Sequence, residues 1–120
     1  GRQICLQYTD DEKRLKVITI DPSFEQRIID SRMDTTSGVV AALEPELQSA
    51  WINGLTNTIH NVQGEWEYPV VLCSEAARPL VKTSTLREIP DLVVLSVPEI
   101  ATGIQVVSLG EIQVTEHVKE

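Results

Sequence analysis

Apolar residues along this chain follow two rhythms. Residues 15–20, Leu-Lys-Val-Ile-Thr-Ile, are rich in β-branched side chains and predict a strand. Asp21-Pro22 follows at once: an Asp suited to accept free backbone N–H groups, then a Pro suited to the first helical position. A helix is expected from Pro22 to about Arg32, burying Phe24, Ile28 and Ile29. Thr35 to Gly38 reads as a loop and residues 39–43 as a short extended run. From Pro45 onward Leu47, Trp51, Leu55, Ile59 and Val62 recur at steps of three and four, the stripe of a long amphipathic helix. Gly54 interrupts it at a cost of about 1 kcal/mol against Ala, and Gly64 is its expected C-cap.

The second half changes character. Residues 70–73 and 92–97 are apolar at nearly every position, which suits strands covered on both faces, as in a parallel sheet. Between them a helix is expected from Arg78 or Pro79 to Glu88. The unit 70–97 is thus strand, helix, strand, near the ~30 residues of a βαβ crossover. Residues 104–114 give a last strand, bent near Gly110. The expected fold is α/β, with helices packed on a mixed, mainly parallel sheet of about four strands. At the ends, residues 3–9 look like the last turns of a helix, Asp10 to Lys13 a polar turn, and 115–120 a frayed tail. Beginning at Gly1 within a helical pattern, the chain reads as an excised piece of a longer protein.

Composition narrows the function classes. The 120 residues, 42 % hydrophobic and 23 % charged, suit one domain with one core. The net charge of −8 opposes nucleic acids and acidic membrane surfaces, and no basic patch overrides it. Cys5 and Cys73 form neither a CxxC motif nor a disulfide framework, which favours a reduced compartment. No apolar run reaches the ~18–20 residues of a membrane span.

Candidate chemistry centres on Val70 to Val81, VVLCSEAARPLV, where a thiol ends a strand. Thiolate phosphatases place Arg after five spacers from Cys, in a glycine-rich loop. Here Arg78 follows four spacers, without glycine and with the repelling Glu75. A Cys–His hydrolase needs an imidazole beside the thiol, and His60 and His117 are the only candidates. Cys73 therefore reads as a small buried hydrophobe, with a nucleophile as the alternative. Ser74 lacks a GxSxG setting and reads as a cap, with 74–77 a tight turn before Pro79. HExxH, calcium-loop, G-x-G-x-x-G and Walker patterns are absent from the sequence, so no cofactor or metal is expected. Asp10, Asp11 and Glu12 read as a solvated turn. Glu44, Glu46, Glu65 and Glu67 flank the long helix without forming a working pair. Trp66 and Tyr68, an aromatic pair among acids, are candidate partner contacts, although Trp66 equally suits a lid folded back on the core.

The stretches GRQICLQYTDDEKRLKVITIDPSFEQRI, LEPELQSAWINGL and PVVLCSEAARPLVKTSTLREIPDLVVLSVPEIATGIQVVSLGEIQV carry a resemblance over nearly the whole chain. It is similar to the extreme C-terminal part of the large type III export-gate proteins, flagellar and injectisome, and leans to the flagellar branch. The most specific blocks are PVVLCSxxARPL, then PDLxVLS and EI, in matching order and spacing. The resemblance implies a fourth cytoplasmic subdomain over residues 10–114, with 1–9 ending a helix of the third. It implies a parent with N-terminal membrane spans, so that this part lies on the cytoplasmic side of the bacterial inner membrane. Expected partners are export chaperones with their secreted substrates, the parent's other subdomains, and neighbouring subunits of a homo-oligomeric ring. The implied role is a non-catalytic interaction module that helps order export. An enzyme fragment using Cys73, or a purely structural cap, are the alternatives.

Overall fold

The computed structural model describes residues 13–62, 64, 69–100 and 102–114. Four strands form one sheet: β1 (Arg14–Ile20), β4 (Val70–Cys73), β5 (Val93–Ser96) and β6 (Gln105–Ile112). Their order is β5-β4-β1-β6, and all three pairings are parallel. Antiparallel pairing is confined to a separate hairpin of β2 (Arg32–Thr35) and β3 (Gly38–Ala41). The expected four-stranded α/β fold is present, its main sheet fully parallel.

Strand alternation sorts the apolar residues onto two faces. Ile18, Ile20, Val71, Cys73 and Val94 face the helices, joining Phe24, Ile28, Trp51, Leu55, Leu80 and Val81 in the main core. Leu15, Val17, Val70 and Leu95 point the other way, where Ile100 and Ile104 pack against them. Those two residues belong to the connection that carries the chain from β5 at one edge to β6 at the other. The continuous apolar runs of β4 and β5 follow from this double coverage.

Helix α1 (Pro22–Asp30) starts as expected, with Asp21 Oδ2 accepting the Phe24 N–H at 3.2 Å. It stops short of Arg32, because the Ser31 N–H closes the last turn on the Arg27 and Ile28 carbonyls. The chain then turns into the hairpin, whose first strand the sequence does not announce: all four β2 residues are exposed and lack apolar alternation. Gly38, with φ +123°, makes the turn, and the Thr35 hydroxyl donates to its carbonyl. Helix α2 (Pro45–Asn61) ends three residues before the expected Gly64 cap, with the Val62 N–H bonded to Thr58 and Ile59. Helix α3 (Arg78–Thr85) is likewise one turn shorter than expected. β6 carries a bulge: Val17 pairs with Ser108 and Ile18 with Gly110, so Leu109 is the extra residue beside the expected bend. The helix end expected over 1–9, residues 10–12 of the polar turn expected over Asp10 to Lys13, and the tail 115–120 lie outside the described residues.

Candidate functional site

The carboxyl ends of β4 and β5 bring together the polar residues of the two most specific sequence blocks. β4 ends at Cys73, and Ser74 turns the chain: the Ala77 and Arg78 N–H groups both reach the Ser74 carbonyl, and the Ser74 hydroxyl accepts from Ala77. This is the tight turn expected before Pro79. The Ser74 N–H donates to Glu25 Oε2 on α1 at 2.7 Å. β5 ends at Ser96, whose N–H and hydroxyl both donate to Glu99 Oε1, at 2.8 and 3.1 Å. Glu99 thereby reaches back to cap the start of the short 3-10 turn Val97–Glu99.

Arg78 joins the two blocks. Its Nε is buried and lies 2.9 Å from Glu99 Oε1, an ionic contact without hydrogen-bond alignment. Burial acts against the Glu99 charge, but the Ser96 donors and the Arg78 guanidinium outweigh it and hold the carboxyl below its ordinary value. Glu25 and Arg78–Glu99 thus fasten α1, α3 and β5 to the end of β4.

Cys73 sits beneath this cluster, 4 % exposed, with Sγ 3.7 Å from the Leu95 carbonyl. Its pKa is pushed up to about 12, chiefly by burial and then by the Glu25 charge. At neutral pH it is a thiol, the form that neither attacks an electrophile nor binds metal. Among the described residues the charges that reach it come from Glu25, Arg78 and Glu99, with no imidazole among them. His60 is exposed near the end of α2, and His117 lies outside the described residues.

Glu46 occupies the first turn of α2, where a carboxylate complements the helix dipole, and Glu44 is its N-cap residue without a side-chain hydrogen bond. Glu65, Glu67, Trp66 and Tyr68 lie outside the described residues, as do Asp10, Asp11 and Glu12. Trp51 is fully buried against Phe24, ring centroids 5.4 Å apart, as its place in the helical stripe predicts. Ser84 is the residue that sequence reasoning missed. Trp51 Nε1–H donates to its hydroxyl at 3.0 Å, and Gln48 Nε2 donates to its carbonyl at 2.9 Å. The poor helix former is there because it ties α3 to α2. An open cleft of about 580 Å³ lies between α3 and β5, with Arg78, Lys82 and Thr83 on one wall and Val93, Val94 and Leu95 on the other.

Comparison with known proteins decides the family. The model of the FHIPEP family matches residues 1–105. The chain belongs to the FHIPEP family. It is 47 % identical over 116 residues to the flagellar biosynthesis protein FlhA of Borreliella burgdorferi, a match covering 97 % of the chain and 17 % of that relative. The low calcium response locus protein D of Yersinia pestis is 28 % identical over 92 % of the chain and 16 % of its own length. Among solved structures, Chlamydia pneumoniae CdsV superposes with a TM-score of 0.79 at 28 % identity, covering 92 % of this chain and 31 % of that one. Nonameric SctV-C from EPEC gives 0.76 at 26 % identity, covering 92 % and 32 %. The resemblance to type III export-gate large subunits is therefore borne out. This chain spans about a sixth of the length of the relatives it matches. No helix among the described residues is long and apolar enough to cross a membrane.

Proposed function

We propose that this FHIPEP chain is a non-catalytic interaction module on the cytoplasmic side of a type III export gate. It helps build the ring platform that docks export chaperones with their substrates and orders secretion. Residues 10–114 correspond to the parent's fourth cytoplasmic subdomain, with 1–9 belonging to the third.

The observation that carries this reading is how the signature residues are used. Ser74, Arg78, Ser96 and Glu99, four polar residues of the specific blocks, bind one another and the backbone at the strand ends. Groups so engaged hold surfaces in place, which is what a docking module needs. The assemblies described for relatives support it: SctV-C and the EscV cytosolic domain are nonameric, and CdsV forms a complex with CdsO. Trp66 and Tyr68 are the proposed partner contacts, since aromatic side chains dominate the energetics of many interfaces.

Deleting this segment from the full-length parent tests the proposal. Export is expected to stop while the membrane part stays inserted, as shown by fractionation. Secretion at the normal rate without the segment would sink the idea.

A further inference from the structure

β5 is the outer strand of its sheet among the described residues. The Val93 N–H points inward to the Pro69 carbonyl at 2.9 Å, so alternation turns the backbone of Leu92, Val94 and Ser96 outward. The two ends of this outward row are occupied by the chain's own side chains. Lys82 Nζ donates to the Leu92 carbonyl at 2.7 Å, and Glu99 Oε1 accepts the Ser96 N–H at 2.8 Å. Charged groups placed this way discourage indiscriminate edge pairing. Between them alternation leaves the Val94 N–H and C=O turned away from β4, and Val94 lines the cleft between α3 and β5.

The charge of that cleft runs against the rest of the molecule. The chain carries −8, yet α3 lines the cleft with Arg78 and Lys82, against Asp91 in the lining and Glu99 behind Arg78 as its ion-pair partner. Arg78 is 43 % exposed while its Nε is held at Glu99, which fixes the direction of the guanidinium fork. Pro79, Pro90 and Val93 supply apolar lining.

We propose that this cleft receives a short extended segment of another protein, apolar in its middle and bearing carboxylates at its ends. The segment pairs with Val94 as an added strand, lays its apolar side chains between the two prolines, and sets a carboxylate on Arg78 and Lys82. The guarded ends limit pairing to one residue of β5, so charge and apolar contact discriminate between segments more than backbone bonding does. The inference stands independently of the export role.

The test is amide NMR on the isotope-labelled chain, titrated with the peptide Ac-Asp-Ile-Val-Ile-Asp-NH₂. Two controls are the same peptide with Lys at both ends and the version N-methylated at its central residue. Saturable shifts centred on the Val94 amide and the Arg78 Nε–H are expected. The Lys-ended peptide should bind more than about tenfold weaker, the N-methylated one about five- to tenfold weaker. Lys82→Glu should weaken the acidic peptide about tenfold, and the peptide controls test the same point on the unaltered chain. No saturable shift at Val94, or equal binding of the Lys-ended peptide, overturns the proposal. So do Val94 shifts that follow the chain's own concentration without peptide, because a second copy would then be the occupant.

Discussion

At the scale of single residues, position decides what each chemical group can do. Cys73 has the setting of a nucleophile in sequence and that of a core residue in space. Its raised pKa has a consequence for stability. The unfolded thiol ionises near its ordinary value of about 9, while the folded one keeps its proton to about 12. The unfolded state loses the proton first, so Cys73 leaves stability unaffected below pH ~8.5 and lowers it above, by up to about 1.4 kcal/mol per pH unit. Urea unfolding between pH 8 and 10 should show a steeper loss for the parent chain than for Cys73→Ala. Glu99 has the opposite sign. Its lowered pKa makes a contribution that is complete above the unfolded carboxyl value and fades as pH falls through the folded one. Glu99→Gln is expected to cost about 1 kcal/mol at pH 7 and to flatten the acid limb of the stability profile. Removing the Ser84 hydroxyl leaves a buried Trp51 N–H without its acceptor, so Ser84→Ala should cost about 1–2 kcal/mol in the same assay.

At the scale of elements, the legible parts were those whose pattern reflects burial. β1, β4, β5 and α2 announce themselves because each has apolar residues on buried faces. The hairpin was not legible at β2, where Arg32 to Thr35 are all exposed and the strand is held by its partner. The polar cluster was legible only in pieces. The turn after β4 could be read from Ser74 and Pro79. The Glu25–Ser74 bond could not, because it joins residues 49 apart through the packing of α1 on the sheet. Gly54 gives a test of how α2 packs on β6. A Cβ added there would lie 3.6 Å from Ile112 Cγ2, ordinary van der Waals contact. The glycine is thus not required by space, and Gly54→Ala should raise stability by about 0.5–1 kcal/mol. A lower melting temperature for this variant would mean that α2 sits closer to β6 than described.

For the whole molecule, the family was written in blocks that also turn out to be the fold's fasteners. PVVLCSxxARPL builds β4, its turn and the start of α3, while PDLxVLS and the following Glu99 build β5 and its cap. This explains why the strongest identity marks in the chain coincide with buried strands and their polar ends. In the proposed function the cluster around Cys73 acts by holding surfaces in place. Export by cells whose full-length gate protein carries Cys73→Ala tests this most directly, with thermal unfolding of the same variant chain as the folding control. Secretion close to the unaltered rate, with the chain still folded, is expected. Loss of export from a chain that remains folded would contradict it and return the thiol to a chemical role.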